Sequence, residues 1–87
     1  MKKQNLKAQN EKAHFNKRCI ERVGETLNRK EIERSIRSGK LQFYDRQSNR
    51  ITRYIYTHND IDYIVVYDKQ RHKAVTILYA DKERKNG

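Results

Sequence analysis

One cysteine, Cys19, is all the chain has, so no internal disulfide can form and no second thiol exists for a zinc site of the usual spacing. A buried structural thiol is the expected role of Cys19. Glycine is almost as scarce. Gly24, Gly39 and Gly87 are the whole supply, which excludes a glycine-rich phosphate loop and the nucleotide hydrolysis that depends on one. No apolar run approaches the roughly eighteen residues of a membrane-spanning helix, and residues 1–12 are basic without the apolar centre of a signal peptide. A soluble, cytoplasmic protein with no membrane partner is expected. Acid is limited too. Asp60, Asp62 and Asp68 sit at strand ends rather than in a cluster, so a two-metal nuclease centre is not expected, and no metal or cofactor is implied.

What the chain has in excess is base. Twenty-one Lys and Arg against eleven Asp and Glu leave a formal charge of +10, enough to give so small a surface a positive potential over several faces. Polyanions will be attracted, and RNA is the first partner to consider. Eighty-seven residues make one domain with a small core. Its ordered part is expected over residues 13–80, preceded by a basic, partly flexible arm or helical lead-in over 1–12 and followed by a loose charged tail over 81–87.

Hydrophobic periodicity divides the ordered part in two. Phe15, Cys19 and Val23 recur at four-residue spacing, with Ile20 beside them, and predict an amphipathic helix ending near Gly24. Asn28 followed by Glu31 predicts a helix start, because an Asn side chain can accept from an otherwise unpaired amide and the acid faces the helix dipole. Ile32 and Ile36 lie one turn apart on this second helix, and Ser38-Gly39 should stop it. The period then changes from about four to two. Strands are expected over residues 41–46, 50–57, 61–68 and 74–80, separated by Gln47-Ser48-Asn49, His58-Asn59-Asp60 and the basic run 69–73. Short connections favour an antiparallel meander. The expected fold is α+β, with two N-terminal helices packed on one face of a four-stranded antiparallel sheet.

Six tyrosines and no tryptophan are distributed mainly over the strands. Tyr54 and Tyr56 share one face of the second strand, and Tyr63 and Tyr67 share the face of the third strand opposite Ile64 and Val66. The aliphatic face is expected under the helices. That would leave the tyrosines, with Arg46 and Arg53 near them, on an open face where bases could stack. Strong strand propensity accounts for the same tyrosines without any ligand. Lys69, Gln70, Arg71, His72 and Lys73 form a basic turn suited to a phosphate backbone, and Lys17 adds charge on the first helix.

The order of these features resembles a known family. The helix His14-Phe15-Asn16-Lys17-Arg18-Cys19-Ile20-Glu21-Arg22, the short second helix closing in Ser38-Gly39-Lys40, Arg53-Tyr54, Tyr63-Ile64-Val65-Val66-Tyr67-Asp68 and Val75-Thr76-Ile77-Leu78 are together similar to the barnase–colicin–RelE-like superfamily of small ribonucleases. The nearest likeness is to its small phage- and toxin-type branch. The resemblance covers residues 13–80 and implies a RelE-like fold and RNA cleavage without a metal. Such cleavage activates a ribose hydroxyl, protonates the leaving oxygen and stabilises charge on the phosphate. His14 would then be the general acid or base, and Arg18, Arg22 or Arg53 would hold the phosphate, with a hydrogen bond from Thr76.

Two rival readings accompany the ribonuclease. His14, Arg18 and Arg22 form a single helical stripe that Glu21 and Glu25 could neutralise as an ordinary solvated face. The fold would then be a non-catalytic binder of nucleic acid, or of a host or antitoxin protein, such as a phage inhibitor of a defence complex. Alternatively, the tyrosine face would join copies of the chain. The sequence does not fix the oligomeric state.

Overall fold

The computed structural model describes the backbone of residues 6–80 and the side chains from Lys12 onward. The expected tail over 81–87 and the first five residues of the arm lie outside the described residues. The order of elements is α1 (Leu6–Val23), α2 (Arg29–Arg37), β1 (Gln42–Arg46), β2 (Ile51–His58), β3 (Ile61–Asp68) and β4 (Lys73–Tyr79). The strands form one antiparallel meander in the order β1-β2-β3-β4, and the helices pack on it, giving the expected α+β fold. Helix α1 begins earlier than the apolar stripe requires and takes in residues read as a lead-in.

Local chemistry explains the helix ends. The Asn28 side-chain oxygen accepts from the Glu31 amide at 3.1 Å, as the Asn28/Glu31 pair predicts. At the other end of α2, Gly39 takes φ +79°, which lets the Lys40 amide reach back to the Ser35 carbonyl at 2.9 Å and closes the last turn. On α1, Phe15 and Cys19 are fully buried, whereas Ile20 lies outside the stripe and remains 55% exposed.

The sheet presents the opposite face to the one the sequence suggested. Phe15, Cys19, Ile32 and Ile36 from the helices pack with Tyr63, Val65, Tyr67, Ala74 and Ile77, and Tyr54 and Tyr56 are half-buried against the same cluster. Ile64 and Val66 point away from the helices; Ile64 lies between Ile55 and Leu78 in the ladder. The reason is volume. Among the described residues the two helices contribute four fully or nearly buried apolar side chains, and aromatic rings, which bury the most area per residue, fill the remaining depth. Tyrosine also suits the edge of such a core, because its hydroxyl can emerge at the rim: the Tyr67 hydroxyl lies 3.4 Å from His72 Nδ1.

A polar anchor ties α2 to the sheet. Glu33 is 6% exposed, and its Oε2 accepts the Ala74 amide at 2.7 Å. Arg29 Nε donates to the Ala74 carbonyl at 2.9 Å, lies 3.3 Å from Glu33 Oε2, and sets its guanidinium 5.8 Å from the centroid of the Phe15 ring. Both backbone groups of Ala74 on edge strand β4 are thereby paired, beside the bulge at Val75 where the β3–β4 register shifts.

Candidate nucleic-acid interface

In an antiparallel meander, alternate reversals fall at the same end of the sheet. The β1–β2 and β3–β4 turns therefore lie together, and the β2–β3 turn lies at the far end. Both near turns are basic. Across residues 46–50 and 68–73 stand Arg46, Arg50, Lys69, Arg71 and Lys73, with His72, against the single carboxylate Asp68.

The two turns are bonded to each other. The Lys69 amide donates to the Arg50 carbonyl at 2.8 Å, and Arg50 Nε donates to Asp68 Oδ2 at 2.9 Å. Asp68 Oδ1 accepts the amides of Gln70 and Arg71 at 3.0 and 3.2 Å. Burial alone would raise the Asp68 carboxyl, but the Arg50 guanidinium and these amides overcome it and hold the group below its ordinary range. Asp68 thus stays ionised and organises both turns. On the other hairpin, Ser48 Oγ accepts the amides of Arg50 and Ile51 at 3.2 and 3.1 Å. Arg46 donates from Nε to the Ser48 carbonyl at 3.2 Å and from Nη2 to Asn49 Oδ1 at 2.6 Å.

Helix α1 approaches this end with its first described turns. Phe15 lies against Arg29, Arg29 binds Ala74, and Ala74 follows Lys73 at the start of β4. His14, next to Phe15, and Lys17, on the outer face of the helix, are both exposed. The linker after α1 lies at the opposite end, where Glu25 Oε2 is 2.7 Å from His58 Nε2 and the His58 ring stacks on Tyr56.

The sequence-predicted site residues separate into groups. Arg46, Arg71, His72 and Lys73 come together at the basic end. His14 and Thr76 do not meet: Ile77 faces the helices, so its neighbour Thr76, opposite Val66 in the ladder, faces the other side of the sheet. Arg18 is committed to Glu21 at 2.7 Å, and Arg22 Nη1 lies buried without a hydrogen-bond partner among the described residues, 3.9 Å from the same carboxylate. The expected open tyrosine face is corrected as well. Tyr63 and Tyr67 are each 3% exposed in the core, and Tyr54 and Tyr56 lean on it, so the four rings do not form a free platform. Arg53 is buried and doubly bonded to Asp45, Nε to Oδ1 at 2.8 Å and Nη2 to Oδ2 at 2.6 Å, with its guanidinium 5.1 Å from the Tyr44 ring centroid. It holds a carboxylate in the geometry that a phosphate would need.

Sequence reasoning missed Arg50 and the organising role of Asp68, and it had Lys69 only as part of the basic turn. The signal was available. Once a meander is assigned, the first and third turns must share an end, and the residues that flank them are basic. No protein-family model, curated protein or solved structure matches the chain.

Proposed function

We propose that this chain is a small RNA-binding protein that grips the sugar–phosphate backbone with the joined β1–β2 and β3–β4 turns. The observation that carries this reading is the concentration of five cations and His72 around one buried, ionised aspartate, on two turns fixed to each other by hydrogen bonds. Turns already fixed to each other, with Arg46 and Arg50 held by hydrogen bonds, lose little entropy when a polyanion arrives, and each phosphate neutralised releases counterions. Such a protein would work in the cytoplasm, where RNA is plentiful.

Salt dependence tests it. Binding of a labelled RNA should weaken linearly on a log–log plot of affinity against salt. Lys69→Ala with Lys73→Ala should flatten the slope by roughly 1.4, at about 0.7 per single-strand phosphate contact, without lowering Tm. Salt-insensitive binding would sink the reading. No RNA shift even at low salt would redirect the search to an acidic protein surface on a host or antitoxin partner.

A metal-free ribonuclease is the second reading, and one arrangement favours it. His72 stands in the basic turn with Nδ1 3.4 Å from the Tyr67 hydroxyl, and His14 is exposed on α1 next to Phe15, whose ring meets the Arg29 guanidinium that binds Ala74, so a second imidazole joins the one the sequence offered beside the arginines. Incubation with mixed RNA in EDTA should then give cleavage that His14→Ala and His72→Ala each abolish. Full activity in both variants would remove the assignment.

A further inference from the structure

Strand β1 carries an extra residue. Phe43 opposes Tyr54 and Asp45 opposes Arg53, so Tyr44 is bulged out of the pairing, and Arg46 opposes Thr52. Residues three apart in an unbroken strand project to opposite faces; the bulge places Phe43 and Arg46 on the same one. Their partners Tyr54 and Thr52 are two residues apart on β2, so Phe43 and Arg46 are neighbours at about 7 Å along the strand.

Phe43 is both held and open. Its ring meets Tyr54 edge-to-face at 5.8 Å, and Tyr54 meets the buried Tyr67 in the same way at 6.2 Å, so the ring is rooted in the core while the residue remains 54% exposed. A lone exposed phenylalanine would need no explanation. This one stands beside the basic end. Arg46 is exposed, and its two hydrogen bonds to the turn leave N–H donors of the guanidinium over for a further acceptor.

We propose that Phe43 is a base-stacking residue and that the ligand of the basic end is single-stranded polynucleotide, with an unpaired base on Phe43 and the adjoining phosphates on Arg46 and Arg50. This rests on the RNA-binding reading above and adds the strandedness of the ligand. An apolar π-face next to a fixed cation complements a nucleotide, which joins a flat ring to an anion. A base-paired strand offers only base edges and backbone and cannot cover the ring.

Fluorescence anisotropy with an unstructured 12-mer RNA, the same sequence as DNA, and both as duplexes tests it. Phe43→Ala and Phe43→Leu should each weaken single-strand binding about 5- to 150-fold, the range for loss of one stacked base, while Phe43→Tyr restores it. Duplex affinity and the salt slope should hardly change. The DNA strand should show the same loss, because stacking ignores the sugar. Single-strand binding by Phe43→Leu within twofold of wild type overturns the proposal, since leucine keeps the apolar contact and lacks only the π-face. Equal loss on duplex, or a loss confined to RNA, also overturns it. Should Phe43→Ala abolish a concentration-dependent dimer in sedimentation while RNA affinity stands, the ring joins copies of the chain and the proposal falls. A steep salt slope with no effect of Phe43 removes this inference alone; no binding by wild type removes the parent reading with it.

Discussion

At the scale of single residues, the molecule distinguishes polar groups that are paired from those that are not. Thr52 is 3% exposed and its hydroxyl has no hydrogen-bond partner among the described residues, so it carries a desolvation penalty without compensation. Thr52→Val keeps the shape and removes the penalty; stability should rise by about 1 kcal/mol in chemical denaturation. A loss of comparable size would mean that the hydroxyl is satisfied in solution. Glycine scarcity has meaning at this scale too. Gly39, expected from sequence to end α2, is spent on a left-handed turn that other side chains enter only with strain.

At the scale of elements, α2 is held to the sheet by more than its two isoleucines. Glu33 faces the same side as Ile32 and Ile36 closely enough to be buried, and it brings Arg29 with it onto Ala74. Glu33→Ala would leave the Ala74 amide without its acceptor and the Arg29 charge without its carboxylate in a dry setting, with only the bond from Arg29 to the Ala74 carbonyl kept. The expected cost is about 3 kcal/mol, the scale of breaking a buried ion pair from one side. In a domain of this size that lowers Tm by more than about 10 °C. Glu33→Gln, whose amide oxygen can still accept from Ala74, should recover part of it; no difference between the two would show that only the charge matters. This anchor was not legible along the chain, because a glutamate in a charged helix looks solvated until the strand that receives it is in place.

At the scale of the whole molecule, a formal charge of +10 makes the folded state sensitive to its few carboxylates. The Arg53 guanidinium holds Asp45 below the ordinary carboxylate range, and Arg18 does the same to Glu21, while Asp68 is kept low by Arg50 and two backbone amides against the opposing effect of burial. Groups whose pKa is lower in the folded state bind fewer protons there than in the unfolded chain. Their contribution is therefore complete above about pH 4, the unfolded value, and is lost as pH falls through the lowered folded values. Tm should be nearly level between pH 7 and 5 and fall steeply below about pH 4. The double variant Asp45→Asn, Asp68→Asn should start lower and show a shallower acid limb; an unchanged limb would place the acid sensitivity elsewhere. Salt should protect the folded state and weaken the proposed grip on RNA, since both effects come from screening the same excess of base.

Order of elements, helix caps and strand limits were legible along the chain because each depends on neighbours in sequence: the spacing of Phe15 and Cys19, the Asn28–Glu31 cap, and the change of period after Gly39. The excess of base was equally plain. Alternation in β3 also sorted Tyr63 and Tyr67 from Ile64 and Val66, but only the tertiary structure decided which set the helices cover, because that choice turns on the volume left between two helices and a sheet. Tertiary structure likewise withdrew Arg53 into a carboxylate pair and separated Thr76 from His14. It joined two turns eighteen residues apart through Arg50 and Asp68 and, by one bulged residue, set Phe43 beside Arg46. Sequence patterns report the direction of a side chain along its own element; what waits in that direction is supplied by another part of the chain.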